Sequence, residues 1–493
     1  MMREKILPPY APILMESTRA VGYSLETAVA DIIDNSIAAS ASRSEIFFFP
    51  LGEAYIAVLD NGTGMNEDEL NTAMQYGSKD PVDRRGTADL GRFGLGLKTA
   101  SLSQCRCLSV ISKQGETLIG RRWDLDHVAN ACDWSLLLLD QDEIQTVPEI
   151  QHLLEKDSGT LVVWQNLDRL QAGEVQFEQT FGRKMDVVRD HLALVYHRYL
   201  SGEAGIKKLR IEINGERILP ADPFLKDKST RPMDDEVIII RGEKVLVRPY
   251  ILPHISRMTS DEIGLLGGKE GLRRYQGFYV YRNKRLLVWG TWFRMMRQGD
   301  MSKLARIQVD LSNALDDLWA LDIKKSSALP PAEVRENLRS IIDRIAEKSR
   351  RTWTFRGKKE ISDTTVHVWN RLKSPSGGIY YEINREHPLV QQLTGCHESL
   401  KKPLLALLQQ IEKSIPLNQL YVDLTNDEKV DNDQEQDPAA VGEALRALLE
   451  MSGEKDGKLS LLETMAGIEP FSLYPYVCNG IREEILGHEQ GIR

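Results

Sequence analysis

Tyr55-Ile56-Ala57-Val58-Leu59 runs directly into Asp60-Asn61-Gly62-Thr63-Gly64-Met65. The first five residues are aromatic, β-branched or apolar and read as a strand. The next six hold two glycines and an Asn-Gly pair, the strongest short turn signal. A carboxylate at the lip of a strand can accept from an adenine amino group, and glycines let backbone approach a flat base. The same six residues also read as a plain hairpin turn. Upstream, Ser44 to Phe49 is a second strand, separated by a Pro50-Leu51-Gly52 turn. Residues 24–41 read as a helix with Ser24 placed to cap it and Ala28, Ile32, Ile33 and Ile37 at helical spacing. Downstream, Leu108 to Ser112, Glu116 to Trp123 and Gly159 to Gln165 are further strands. The pattern is α+β with a mixed, mostly antiparallel sheet under helices.

Three other elements accompany the turn. Asp31-Ile32-Ile33-Asp34-Asn35 lies on the first helix, where Asp31 and Asn35 are four apart and share a face. A carboxylate there can deprotonate a water, and an amide oxygen can ligate Mg²⁺. Taken alone, such a pair is ordinarily a solvated helix face. Gly91-Arg92-Phe93-Gly94-Leu95-Gly96-Leu97-Lys98-Thr99-Ala100-Ser101 is a glycine-rich loop with a helix starting near Leu97. Unpaired N–H groups at a helix start suit phosphate, and Lys98 adds a positive charge. The loop is neither the dinucleotide fingerprint nor a P-loop. Ser158-Gly159-Thr160 enters a strand, where a hydroxyl can bond the edge of a base.

In this order the four elements resemble the ATP-binding domain of the GHKL superfamily, which includes gyrase-type topoisomerases, heat-shock chaperones, histidine kinases, MutL and MORC ATPases. The resemblance implies a Bergerat-type sandwich that binds ATP and Mg²⁺. It makes Asp31 the general base, Asn35 the Mg²⁺ ligand and Asp60 the adenine reader. Gly62, Gly64 and Met65 would shape the base pocket, Gly94, Leu95, Gly96, Leu97 and Lys98 would bind phosphate, and Thr160 would lie at the base edge. Two positions depart from the family pattern: the usual base is Glu where this chain has Asp31, and a further Asp seven residues on is Ala38. Asp is one methylene shorter, so slow hydrolysis is expected.

Ala73-Met74-Gln75-Tyr76-Gly77-Ser78-Lys79, together with Gly94 to Ser101, looks most like MORC-type and related bacterial ATPases. Three regions are expected: an ATP-binding domain with an N-terminal arm over 1–174, an S5-like α/β transducer over 175–348, and a C-terminal extension over 349–493 with an acidic linker near 426–438. The second region opens on an amphipathic helix, Asp186 to Tyr199, and continues with strands at Lys208 to Ile213, Glu236 to Ile240 and Lys244 to Pro249. Leu209 to Phe224 and Gly277 to Leu287 resemble the transducer. In relatives a transducer lysine reaches the γ-phosphate. Lys324 and Lys325 are the candidates here, with Lys325 favoured.

The chain has 493 residues and a net charge of −9, which excludes a uniformly basic nucleic-acid binder. At roughly 100–200 residues per domain, about two to four domains are expected. Five cysteines argue against a disulfide framework, and Cys105 with Cys107 lacks the partners of a metal site. No apolar run approaches the roughly 20 residues of a membrane span. Met1 to Tyr10 lacks the apolar core of a secretory signal, so a cytoplasmic protein is expected. The resemblance implies a nucleotide-gated homodimer clamping DNA in a bacterial anti-phage or restriction-like system, with helicase or nuclease partners. A chaperone-like clamp on a protein client and a mismatch-repair-like scaffold remain open. Arg350 to Lys359, basic with Trp353 and Phe355 interleaved, leans toward nucleic acid; its bland reading is a helix end.

Overall fold

The computed structural model describes residues 9–20, 22–77, 96–231, 234–299, 302–316, 319, 330–331, 334–342, 368–373, 379–396, 398–417, 420, 438–450, 455–467 and 471–487. They fall in two compact units, 1–355 and 356–493. The first unit holds two sheets. Its larger sheet comprises β1 (Arg43–Phe49), β2 (Tyr55–Asp60), β3 (Cys107–Gln114), β4 (Thr117–Asp124), β5 (Leu137–Leu139), β6 (Ser158–Gln165), β7 (Arg210–Ile213) and β8 (Glu216–Arg217). Their order is β5-β4-β3-β6-β2-β1-β7-β8. Neighbours are antiparallel except β1 and β7, which run parallel. The mostly antiparallel sheet expected from the sequence is therefore present.

Among the described residues ten helices accompany this sheet: α1 (Ala11–Arg19), α2 (Leu25–Ala38), α3 (Glu67–Met74), α4 (Gly96–Gln104), α5 (Leu125–Ala131), α6 (Gln141–Gln145), α7 (Ile150–Leu154), α8 (Asp168–Gln171), α9 (Phe177–Val195) and α10 (His197–Ser201). Successive strand residues point to opposite faces. Ile56 and Val58 therefore join Leu108, Val110, Val162 and Trp164 in the core that also takes buried residues of α2, α4 and α9. Ala57 and Leu59 pack with Ile144, Ile150 and Leu153 of α6 and α7. Burial on both faces explains why Tyr55 to Leu59 reads as an unbroken apolar run rather than an alternating one.

Ser24 occupies the N-cap position of α2, but its hydroxyl lies 3.0 Å from Thr27 Oγ1 instead of capping a backbone N–H. α3 has the full reciprocal cap: the Asn66 side chain accepts from Glu69 N at 3.0 Å, and Glu69 Oε2 accepts from Asn66 N at 2.9 Å.

The second sheet comprises β9 (Glu236–Ile240), β10 (Glu243–Ile251), β11 (Gly277–Arg282), β12 (Arg285–Thr291) and β13 (Ala305–Leu311), in the order β12-β11-β13-β10-β9. The strand expected in this second region at Lys208 to Ile213 belongs elsewhere. As β7 it pairs in register with β1, Arg43 opposite Arg210 and Ile46 opposite Ile213. α9 likewise lies under the first sheet, burying Phe181, Met185, Val188, Leu192 and Val195 at helical spacing. The first layer thus extends well past residue 174, because β1 would otherwise be an uncovered edge.

α9 and α10 meet the β11–β12 hairpin along a polar seam. His197 Nε2 lies 2.8 Å from Tyr281 Oη, Tyr199 Oη donates to the Asn283 carbonyl at 2.7 Å, and Lys284 Nζ donates to the Ala204 carbonyl at 2.7 Å. The second unit has a hairpin of Trp369–Lys373 with Ile379–Ile383 and a helical cluster built on Leu445, Leu462, Met465 and Ile481. Among the described residues no helix is long and apolar enough to cross a membrane.

Candidate nucleotide site

α2 is buried nearly all round, which brings two carboxylates into the interior. Buried charges need partners. Asp31, 4% exposed, accepts from Tyr23 Oη at 3.0 Å through Oδ2, which fixes the rotation of its carboxylate. Tyr23 is itself tied down by Gln104 Nε2, at the far end of α4, donating to its carbonyl at 3.1 Å. The start of α4 closes on the same carboxylate: a methyl group placed on Gly96 would stand 3.3 Å from Asp31 Oδ2. Asn35, one turn further along α2, is exposed. The structure thus brings Asp31 and the helix start at Gly96 together, with Asn35 on the open side. Leu97 is half-buried beside them.

Asp60 ends β2 and is buried. Gly62 N–H donates to its Oδ1 at 2.8 Å, and Ser36 Oγ donates to its Oδ2 at 3.1 Å. Burial pushes this carboxyl up from its ordinary value. The Gly62 N–H, the Ser36 hydroxyl, the Thr160 backbone and the Lys156 charge pull the other way. Thr160 stands opposite Asp60 in the β2–β6 register and is also buried. Each carboxylate oxygen has two lone pairs, so both can take a further donor.

The turn that follows is clamped on several sides. Thr63 N–H donates to the Ala39 carbonyl at 3.1 Å, Ser158 Oγ to the Gly62 carbonyl at 2.7 Å, and Met65 N–H to Ser112 Oγ at 2.7 Å. Asn61 Oδ1 accepts from Ser42 and Arg43 N–H at 2.9 and 2.8 Å. Gly64 has φ +67°, and a methyl group there would fall 2.1 Å from the Lys113 carbonyl oxygen. Only glycine meets both demands.

Lys98 is buried, and its ammonium donates to the Ala73 and Gln75 carbonyls, 2.8 Å each. Those carbonyls close α3, where helix geometry leaves acceptors unmatched. The lysine thus ties the start of α4 to the end of α3. Gly94, Leu95, Lys324, Lys325, the 350–359 cluster and all but the last residue of the acidic stretch near 426–438 lie outside the described residues. No cluster of three or more His, Cys, Asp or Glu that could hold a metal occurs among the described residues. Mg²⁺ bound with a nucleotide needs only one or two protein oxygens, which the Asn35 amide can supply.

Ser36, Ser112 and Tyr23 have no sequence signature beyond their place beside the motifs. Asp34, the other buried carboxylate of α2, is engaged by the second sheet. It accepts from Arg285 Nε at 2.9 Å, and Tyr196 Oη lies 2.7 Å from the same oxygen.

A mixed sheet roofed by α2 and α4, with a carboxylate held beneath the start of α4 and another at the lip of β2, has the organisation of a GHKL-type ATP-binding domain. Residues 23–160 match the family of histidine kinase-, DNA gyrase B- and HSP90-like ATPases. The mouse (Mus musculus) MORC family CW-type zinc finger protein 3 is 30% identical over 95 residues, 19% of this chain. The matched segment is 10% of that protein's length. A crystal structure of the N-terminal domain of a DNA repair protein overlaps 68% of this chain and 96% of its own, at 18% identity and a TM-score of 0.41. That score is too low to bear on fold or function. Residues 23–160 are thus similar to GHKL-type ATPase domains, and a stretch of 95 residues of the chain is similar to a MORC protein.

Proposed function

We propose that this chain is a slow, Mg²⁺-dependent ATPase whose nucleotide state gates homodimerisation around DNA. The observation that carries the chemistry is the placement of Asp31. It is buried, oriented by Tyr23 and within a methyl group's reach of Gly96 at the start of α4. In this reading Asp60 and Thr160 receive the adenine edge, and the α4 N-terminus faces phosphate. Asp31 takes the proton from the attacking water. Asn35 would hold the magnesium, whose chemistry is to neutralise charge on the phosphates.

The gate would be a lid over about residues 66–98 together with a lysine of 324–325, Lys325 favoured. A ligand shifts a conformational balance only through contacts that differ between states, and γ-phosphate contacts exist only with ATP. The family resemblance further supports a cytoplasmic role in bacterial anti-phage or restriction-like defence beside a helicase or nuclease. The transducer reading of the second sheet belongs to the same proposal. The net charge of −9 favours a second reading, a clamp on a protein client. Stimulation of phosphate release by plasmid DNA, falling with added salt, selects DNA over that client.

The test of the chemistry is phosphate release by Asp31→Ala and Asp31→Glu. The alanine variant should bind a non-hydrolysed ATP analogue normally and lose about 10²–10⁴-fold in rate. The glutamate variant restores the family's usual residue but drives the carboxylate toward Gly96. It should therefore hydrolyse more slowly than the parent. A parent-level rate for Asp31→Ala would remove Asp31 from the reaction.

A further inference from the structure

Arg285 begins β12, in the second sheet, yet its guanidinium is buried in the first layer. Nε donates to Asp34 Oδ1 at 2.9 Å. Tyr196, at the end of α9, sets its hydroxyl 2.7 Å from that oxygen and 2.7 Å from the Ala30 carbonyl. Burial alone pushes the guanidinium down. The Asp34 carboxylate, then Tyr196 and the Asp31 carboxylate, more than offset this and hold it above its ordinary value. The pair joins residues 251 positions apart in the chain.

Asp34 lies three residues after Asp31 on α2, and Ala30 directly precedes Asp31. A rigid helix moves as one body, so whatever displaces Asp34 or the Ala30 carbonyl displaces Asp31. Well-packed apolar side chains hold a seam as firmly as a buried ion pair does, so stability by itself does not account for a charge here. A bond with one direction and one length instead fixes where α2 sits. The β11–β12 hairpin that carries Arg285 is anchored on the same seam by Tyr281, Asn283 and Lys284. The Arg285–Asp34 pair thus links the second sheet directly to α2, close to Asp31.

We infer that Arg285 is a positioning residue of the ATPase site, holding α2 through Asp34 so that hydrolysis, more than ATP binding, depends on how the second sheet is docked. This rests on the reading of Asp31 as the base of a working ATPase.

The experiment compares the full chain with Arg285→Gln, Arg285→Lys and the neutral pair Asp34→Asn/Arg285→Gln. It measures kcat with MgATP, affinity for a non-hydrolysed ATP analogue, and amide exchange along α2. Misplacement of a reacting group by about 1 Å costs on the order of 10²-fold, so folded Arg285→Gln should lose at least about tenfold in kcat. Its analogue affinity should stay within about threefold, because the base acts on water and not on the nucleotide. Arg285→Lys, which keeps the charge, should recover part of the rate. Exchange should quicken in α2 and not in β3 or β4. Should Arg285→Gln fail to fold, the neutral pair, which leaves no buried charge unpaired, carries the same comparison. A folded variant with parent kcat, or one losing analogue affinity in step with kcat, overturns the inference. If the parent releases no phosphate, the ATPase reading fails. The exchange arm then still decides the coupling, and unchanged α2 exchange overturns it.

Discussion

Asp60 shows what a single carboxylate does in this site. Its oxygens take the Gly62 N–H and the Ser36 hydroxyl, leaving lone pairs for a base amino group. Asp60→Asn replaces one of those acceptors by a donor. A hydrogen bond to a charged group contributes about 1.5–3 kcal/mol, so ATP affinity should fall by roughly one to two powers of ten. Calorimetry giving the parent affinity in a folded variant would take Asp60 out of the pocket. At this scale the sequence singled out Asp31, Asn35 and Asp60 by side-chain type and spacing, and the structure adds the partners of the two buried carboxylates. The contacts of Lys98 were not legible because its acceptors, Ala73 and Gln75, lie on a helix end that no local pattern ties to it. Arg285 was overlooked for the same reason, with its partner 251 residues away.

The turn after β2 is the proposed base pocket, and comparing Gly64 with Gly52 measures how tightly it is held. Gly52, in the β1–β2 turn, has φ +56° and open space where a side chain would go. Gly52→Ala should therefore cost only the left-handed backbone penalty, about 1–2 kcal/mol. Gly64→Ala adds a collision with the Lys113 carbonyl, so it should cost more and weaken ATP binding as well. Urea midpoints for the two variants give the comparison, and equal losses would show that the turn has room to move. The long strands of this layer and α2 were readable because each carries its own period or turn signal, whereas short helices such as α5 to α8 carry too few residues to show one. The extent of the layer was not. Whether Arg210–Ile213 continues the first sheet or opens the second depends on pairing with Arg43–Ile46, and a lone strand does not encode its neighbour.

Across the first unit, the seam between the two sheets holds two histidines in neutral form. Burial, with Lys226 and Arg198 close by, pushes His197 down to about 3 against the opposing Glu203 charge. Burial, with Arg285, brings His191 to about 3 against Asp34. Both start from an ordinary value of 6.5. The sign follows from proton uptake. Below 6.5 the unfolded chain binds protons that the folded chain refuses, so stability falls as pH falls, down to about 3. Each pH unit in that window costs about 1.4 kcal/mol for His197. His197→Gln should lose less stability than the parent between pH 7 and pH 5, read from urea midpoints. An identical loss would mean that His197 titrates normally. The central claim concerns the whole molecule in its ATP-bound state: that nucleotide, read by Asp60 and Asp31, joins two chains. Its most direct test is the mass of the full chain by light scattering, with and without a saturating non-hydrolysed ATP analogue and Mg²⁺. The account predicts one chain without nucleotide and two with it, and a mass that stays at one chain for Asp60→Asn at the same analogue concentration. A mass fixed at one chain with analogue bound, or at two chains with no nucleotide present, would contradict it.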